Sequence, residues 1–234
     1  MHSTKKRNNR FLYKKCLLLK KNIKNSDKIF KFKKKKWQKF QHFLRKLKKK
    51  KFYDPAILPL FNFKNFFNKK FKYNLHNKQR IRFFYGEMKK YHLKKFVKLA
   101  IKKSKISKKR ATILFIQYLE SRLDVTLYKT HFSYSLENAR QYISHKKVYV
   151  NGGTVQNNSY QLKKGDLITF DISAYKYLNT NITSSKIWPI PPNHYYINYK
   201  TFQILIAEDI KYNNNSMYYP FWIDFDSFLH FYKK

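Results

Sequence analysis

Cysteine is nearly absent from this chain: Cys16 is the only one among 234 residues. A single thiol cannot form an intramolecular disulfide, which excludes the disulfide framework of a small secreted domain. It cannot build a cysteine-rich zinc site either, and the eight histidines include no HExxH motif and no pair four residues apart. We therefore expect no bound metal and no other cofactor.

Long apolar runs are missing as well. The longest apolar stretch, from Ile57 to Phe67, is interrupted by Pro59 and Lys64. It is shorter than the roughly 18 residues that a membrane-spanning helix requires. We expect no transmembrane segment and no membrane among the partners.

Acidic residues are scarce, with 12 Asp and Glu against 53 Lys and Arg and a formal net charge of +41. Residues 1–119 carry a net +37, whereas residues 120–234 carry +4. Because such a charge repels itself, a polyanionic partner is the simplest reason to carry it. Aromatic residues lie between the lysines from Phe30 to Tyr73, and such rings can stack on unpaired bases while lysines neutralise phosphates. Nucleic acid is therefore favoured over an anionic membrane surface.

Arginine is also rare, since lysine outnumbers it 45 to 8. Arginine is the better bidentate phosphate ligand, so this ratio is better explained by codons rich in A and T than by RNA binding. Such a bias is typical of organellar genomes. Residues 1–21 are lysine-rich and lack the Arg- and Ser-rich character of an import leader. We expect a mitochondrial protein, with a plastid-type organelle as the alternative.

Composition and local patterns divide the chain into five segments. A lysine-rich arm should order only on RNA, because like charges on every helical face repel one another. Within that arm, the apolar spacing predicts a helix over residues 36–50, and two more helices are predicted over 78–98 and 108–120. The predicted segments are an arm at 1–53, a helical domain at 54–120, a small α/β module at 121–175, a linker at 176–193, and a C-terminal strand and helix at 194–234.

The segment 121–175 has the clearest local signals. Ser135 is a good N-cap for a helix that ends near His145 and buries one face. A strand ending at Val150 follows, and Asn151-Gly152 accepts the positive φ angles of a type I′ hairpin turn. Gly165 marks a second turn that leads into a strand. The buried positions of the helix are predicted to be Leu136, Ala139 and Ile143.

These motifs resemble the S-four domain, a small module that binds structured RNA. They are Arg122-Leu-Asp124, Ser135-x-x-x-Ala139-Arg140-Gln141, Ser144-His145-Lys146, Val148-x-Val150-Asn151-Gly152, Ser159-Tyr160 and Gly165-Asp166. Residues 75–86, 194–200 and 228–233 resemble the flanks of this module in the S-four family of small-subunit ribosomal proteins. The resemblance covers about residues 73–234. It implies an α+β fold, with a helical domain built from the middle and C-terminal segments, an inserted S-four module and a basic N-terminal extension.

The resemblance further implies a structural, non-enzymatic protein of the small ribosomal subunit. Such a protein would clasp a junction of small-subunit rRNA early in assembly and lie near the path by which mRNA enters. Its partners would be that rRNA, neighbouring small-subunit proteins and mRNA. The residues expected to contact RNA are Lys78, Arg80, Arg82, Lys89, Lys90, Arg110, Arg122, Arg140, His145, Lys146, Lys147, Asn151, Lys163 and Lys164.

Some of these residues have a structural alternative. Arg122 could form an internal ion pair with Asp124, His145 could pack at the helix end, and Asn151 could serve its turn first. Tyr85 is expected in the core. His131 stands where the family usually has glycine, and it would be strained there if its φ were positive.

Two other functions remain open. Pseudouridine synthases also combine this module with an Arg-Leu-Asp segment, but their module precedes the catalytic domain, and here only about 60 residues follow the module. The chain could instead be an RNA-binding regulatory or chaperone-like protein outside the ribosome. A polycation bound to a membrane surface is a more distant possibility.

Overall fold

The computed structural model describes residues 66–107, 109–185, 187, 190–208, 219 and 223–233, with isolated positions at 15, 18, 19, 23, 39 and 42. Apart from those positions, the predicted arm at 1–53 and its helix over 36–50 lie outside the described residues. The chain divides into two compact units, one of residues 1–87 and 219–234 and the other of residues 88–218. The second unit is therefore inserted into the first along the sequence.

Helices and one antiparallel sheet make up the described residues. The helices are α1 (Phe66–Phe84), α2 (Lys90–Ile106), α3 (Ala111–Glu120), α4 (Leu123–Lys129), α5 (Leu136–Ser144), α6 (Tyr175–Ser185) and α7 (Phe225–Lys233). The strands are β1 (Val148–Val150), β2 (Gly153–Thr154), β3 (Leu167–Phe170), β4 (Tyr195–Asn198) and β5 (Gln203–Ile206), and a 3₁₀ turn at Ile172–Ala174 precedes α6. The predicted α+β class is confirmed.

In the first unit, α1 packs against α7. Ile81 and Phe228 are buried between them, and burying such a side chain contributes about 1.5–3 kcal/mol. Tyr85 is fully buried, as predicted, and its hydroxyl lies 2.7 Å from that of Tyr219. Helices α1 and α7 thus form one helical core, whereas α2 and α3, which were predicted to share its domain, belong to the second unit.

The predicted single helix over 78–98 is wrong, because the chain breaks between α1 and α2. Gly86 and Glu87 have φ angles of 69° and 57°, which a right-handed helix cannot include. The Gly86 N–H donates to the carbonyl of Phe83, which is a common way to end a helix at glycine. The two halves of the predicted helix belong to different units.

In the second unit, α2 and α3 pack on each other along apolar faces. Leu93 and Val97 on α2 and Phe115 on α3 are fully buried. The rings of Phe96 and Tyr118 stack in parallel with centroids 6.2 Å apart. On α3, Ile116 and Leu119 are buried, whereas Ile113 is only half-buried.

The sheet has the strand order β2-β1-β3-β5-β4, and every neighbouring pair is antiparallel. Side chains alternate between its faces, as period-2 strands require. One face is buried under α4, α5 and α6 and forms the core of the unit. Its sheet residues include Val148, Val150, Ile168, Phe170, Ile204 and Ile206.

Two predicted segments are wrong in this region. The linker over 176–193 is largely the helix α6, which buries Leu178 in the core. The strand expected to return to the helical domain instead joins the sheet, because β5 pairs with β3 through Leu167–Leu205 and Ile168–Ile204. Without β5, β3 would be an open edge and the buried face would lose Ile204 and Ile206. Among the described C-terminal residues, Tyr219 and α7 make the predicted return to the helical core.

The predicted N-cap at Ser135 and the predicted hairpin turn at Asn151-Gly152 are confirmed. The Asn138 N–H donates to the Ser135 hydroxyl over 3.1 Å, which caps α5. Asn151 and Gly152 have φ angles of 51° and 80° between paired strands, as a type I′ turn requires. His131 has a φ of 65°, the left-handed conformation expected from its position.

The strain at His131 gives a test that compares two small substitutions. Both His131→Gly and His131→Ala remove the imidazole, but only glycine adopts positive φ at little cost. We expect His131→Gly to be more stable than His131→Ala by about 1 kcal/mol, measured by urea unfolding followed by circular dichroism. The same pair of substitutions at exposed Thr183 in α6 should reverse the order, because alanine is favoured within a helix. Equal stability of the two His131 variants would contradict the backbone assignment.

Candidate RNA interface

The carboxylate of Asp124 is the centre of a buried ion-pair network. Asp124 is fully buried in the first turn of α4. Its oxygens accept two hydrogen bonds from Arg122, at 3.0 and 2.7 Å, and one from Arg140 on α5, at 2.8 Å. One carboxylate thereby fixes α5 against the start of α4.

This network decides between the two roles considered for Arg122. Its side chain is only 5% exposed and is held by a bidentate ion pair, so Arg122 is an internal residue. Arg140 differs, because its side chain is 26% exposed while one nitrogen contacts Asp124. Part of the Arg140 side chain is therefore accessible from solvent.

The C-terminal end of α5 is a cationic corner. His145 and Lys146 are exposed, and Lys147 is half-buried at the start of β1. Lys146 has a φ of 58°, and its N–H donates to the carbonyl of Ile143, so the chain turns sharply out of the helix here. His145 therefore projects toward solvent and does not pack at the helix end.

Asn151 at the hairpin tip holds two turns together. Its amide nitrogen donates to Asp166, and its amide oxygen accepts from the Leu167 N–H, both over 2.9 Å. The Asn151 side chain therefore stabilises the turn in which it lies, which is the structural role considered for it as an alternative to RNA contact. The neighbouring Lys163 and Lys164 are exposed and carry the positive charge at this edge.

The cations predicted on the helical segment fall in different units. Lys78, Arg80 and Arg82 lie half-buried on α1, and the Lys78 Nζ sits 4.9 Å from the centroid of the Tyr232 ring. The hydroxyl of Tyr232 has its pKa raised to about 12 by burial, against the opposing effect of Arg82. The other three predicted cations lie in the second unit and are exposed. Lys89 and Lys90 lie at the start of α2, and Arg110 lies at the start of α3.

Part of this site matches a known domain family. Residues 121–168 match the family profile described as the S4 domain. The match begins just before the Arg122–Asp124 pair and ends within β3. These residues are an S4 domain.

The chain is also similar to small-subunit ribosomal proteins. It is 33% identical over 122 residues to the small ribosomal subunit protein uS4m of Marchantia polymorpha, over 50% of this chain and 59% of that protein. It is 37% identical over 94 residues to uS4 of Aquifex aeolicus, covering 40% and 43% of the two chains. With uS4 of Karelsulcia muelleri the identity is 36% over 120 residues, covering 51% and 57%. The alignments thus span about half the length of these relatives.

Apart from Lys90, the lysines of α2 are absent from the RNA-binding residues predicted from the sequence. They are exposed opposite the buried Leu93 and Val97, and no Asp or Glu occurs between Met88 and Leu119. Four of them follow one another at spacings of four, four and three residues, which places them on one helical face. That spacing was a signal available in the sequence. The four are Lys94, Lys98, Lys102 and Lys105.

A second buried polar cluster lies beside the S4 domain core. The Lys129 Nζ is 2.6 Å from the Glu120 carboxylate, and both side chains are nearly buried, which links α3 to α4. His194 packs its ring on Tyr195, with centroids 3.9 Å apart. Burial is the main reason that the pKa of His194 is lowered to about 4. Nearby charges act in both directions, since Glu120 and Glu208 raise the pKa and Lys129 lowers it. His194 is therefore neutral at physiological pH.

The described residues contain neither a cluster of metal ligands nor a membrane-spanning helix. No group of three or more His, Cys, Asp or Glu side chains in the described part of the chain is placed to hold a metal ion. Within those same residues, no helix is both long enough and apolar enough to cross a bilayer.

Removing the charge of Asp124 should destabilise the S4 domain. Asp124→Asn leaves two buried or partly buried guanidinium groups without their counter-ion, which costs about 3–5 kcal/mol. We expect a loss of that size in urea unfolding followed by circular dichroism. Asp226→Asn, an exposed carboxylate in the first turn of α7, is the matched control and should cost no more than about 1 kcal/mol. A loss below the control's would show that the network does not hold α4 to α5.

The lowered pKa of His194 predicts a pH-dependent stability. Between pH 6.5 and 4 the unfolded chain binds a proton at this histidine and the folded chain does not, so stability falls as the pH falls. At pH 5 the loss from this group is about 2 kcal/mol. We expect His194→Gln to lose less stability than the wild type between pH 7 and pH 5, in thermal or urea unfolding. Parallel pH profiles for the two proteins would contradict the assignment.

Proposed function

We propose that this chain is a structural rRNA-binding protein of the small subunit of a mitochondrial ribosome. The observation that carries the proposal is an S4 domain whose buried Asp124 network holds Arg140 and the cationic end of α5 at the surface. The relatives bear the names of small ribosomal subunit proteins. The name uS4m supports the mitochondrial assignment over the plastid alternative, and the lysine-rich composition supports an organellar origin in either case.

RNA would be held mainly through its phosphates. The deep groove of A-form RNA is closed to side chains, so recognition depends on shape and on backbone contacts. Three sets of basic side chains that are at least partly exposed are available in the second unit. They are Arg140, Lys146 and Lys147, with His145 beside them; Lys163 with Lys164; and the lysines of α2, which include Lys90, with Lys89 and Arg110. Cations that project from separate rigid elements suit a junction, where several RNA helices meet.

The remaining parts of the proposal rest on family resemblance and charge. The arm at 1–53 would order along rRNA, and Lys78, Arg80 and Arg82 of the helical core would add contacts. The protein would clasp the junction early in assembly, beside neighbouring ribosomal proteins and near the path by which mRNA enters. The excess of positive charge in residues 1–119 supports an RNA partner for these segments.

A pseudouridine synthase-like enzyme is disfavoured by the state of Asp124. A catalytic aspartate must reach a substrate, whereas Asp124 is fully buried and already accepts three hydrogen bonds from two arginines. Its role in the fold accounts for all of its contacts. The structural RNA-binding function is therefore preferred.

Crosslinking of the full chain in intact organelles, with sequencing of the bound RNA, tests the proposal directly. Crosslinks at one junction of small-subunit rRNA, together with co-sedimentation with small subunits at high salt, are the expected result. Crosslinks spread over tRNAs or many mRNAs would instead favour a regulatory or chaperone-like protein. Binding that depends on anionic lipid would favour the membrane-surface alternative.

The lysine face of α2 predicts a change in the salt dependence of RNA binding. Each neutralised phosphate contributes about −0.7 to −0.9 to the slope of log K against log salt. Replacing Lys94, Lys98, Lys102 and Lys105 by Gln should therefore reduce the slope by about 3, measured with a small-subunit rRNA fragment. Glutamine is a good helix former, so α2 should remain folded.

Lys200→Gln is the matched control for that experiment, because Lys200 is exposed in the turn between β4 and β5 and is not assigned to RNA. It should change the slope by less than one phosphate contact, or about 0.9. An unchanged slope in the fourfold variant would remove α2 from the interface and leave the S4 domain contacts as the remaining candidate.

A further inference from the structure

We infer that Tyr177, at the start of α6, is a stacking site for one unpaired nucleobase of the bound RNA. The inference rests on the proposed RNA-binding function and specifies part of the ligand. Neither the S4 domain match, which ends at residue 168, nor the residues predicted from the sequence include this position. The ligand would be an unpaired nucleotide, such as one at a junction or in a loop, because a duplex hides the faces of its bases.

The Tyr177 ring is held at the surface by its neighbours. It lies in the first turn of α6, next to Leu178, which is fully buried in the core. As a residue, Tyr177 is 57% exposed. The Lys147 Nζ lies over the ring, 5.7 Å from its centroid. The ring thus has a cation on one side and a large open surface for a ligand.

The backbone fixes this pair in place. The Asp171 N–H donates to the Lys147 carbonyl over 3.1 Å, which ties the 3₁₀ turn before α6 to the start of β1. The Lys147 N–H in turn donates to the carbonyl of Tyr142 on α5. These two hydrogen bonds therefore connect the turn that precedes Tyr177 to the end of α5, where His145 and Lys146 lie.

Charge around the ring suits a nucleotide. Exposed His145 and Lys146 precede Lys147 in the chain, and exposed Lys176 precedes the tyrosine. Asp171 is the acidic residue of this segment, and its carboxylate accepts a hydrogen bond from the Ser173 hydroxyl. Three lysines against one aspartate in these two segments leave net positive charge, which favours the phosphates that flank a stacked base.

An aromatic ring beside cations is the usual platform for single-stranded nucleic acid, because every base has a π face and stacking tolerates any sequence. Simple packing does not account for the ring, since more than half of it is exposed. Tyr196 provides the contrast. It is 66% exposed on β4 in the same unit, yet among the described residues no lysine or arginine lies over its ring. Tyr196 is the matched control.

The test uses the full chain and two RNA probes, an oligoadenylate and a blunt RNA duplex with the same number of phosphates. Binding is measured by fluorescence anisotropy over a range of salt, because raised salt weakens the purely electrostatic contacts of the other lysines. At raised salt, Tyr177→Ala should weaken oligoadenylate binding by about 5- to 150-fold, as expected for the loss of one base stack. It should leave duplex binding and the salt slope unchanged, whereas Lys147→Met should lower the slope by about 0.7.

Three further variants separate ring stacking from loss of fold or of apolar surface. Tyr177→Phe keeps the ring and should bind like the wild type, Tyr177→Leu keeps an apolar side chain without the ring and should behave like Tyr177→Ala, and Tyr196→Ala should have no effect. The inference is overturned if Tyr177→Ala matches Tyr196→Ala on oligoadenylate, or if it weakens both probes equally. A wild-type chain that binds neither probe would instead overturn the proposed function itself.

Discussion

A buried carboxylate between two guanidinium groups organises the S4 domain of this protein. Asp124 loses its hydration completely, and an isolated buried charge would not be tolerated, so Arg122 and Arg140 must both be in place. The bidentate geometry with Arg122 fixes the start of α4, and the single contact with Arg140 fixes α5 against it. The positions of the exposed groups that follow α5 depend on this contact.

Charge in this chain is divided between structure and surface. The acids of the second unit include Glu120 and Asp124, which are buried and paired within the fold. The lysines of α2 and the cations after α5 are exposed, and no acid occurs in the sequence between Met88 and Leu119. Internal neutralisation therefore stabilises the core while the surface remains strongly positive. A polyanion of fixed shape is the partner that such a surface fits.

Much of the fold and part of the site could be predicted because their signals are local. The Ser135 cap and the Asn151-Gly152 turn each depend on a few neighbouring residues, and both were confirmed. The failures involve distant residues. The pairing of β5 with β3 joins segments almost forty residues apart, and nothing in the alternation of β5 says which strand it meets. The α2 lysines were a different failure, because the predicted helix ended at residue 98 and so did not include Lys102 and Lys105.

By itself, the sequence determined the S4 domain, the α+β class and the polycationic character, because motifs, turns and charge are properties of residues near one another in the chain. The tertiary structure decided which polar groups are available. Arg122 and Arg140 are both basic residues of S4 motifs, yet one is buried with Asp124 and the other is partly exposed. Tyr177 and Tyr85 are both tyrosines in a lysine-rich chain, yet one is at the surface beneath Lys147 and the other is in the core. Burial depends on what packs against a residue from elsewhere in the chain, and only the folded arrangement specifies that.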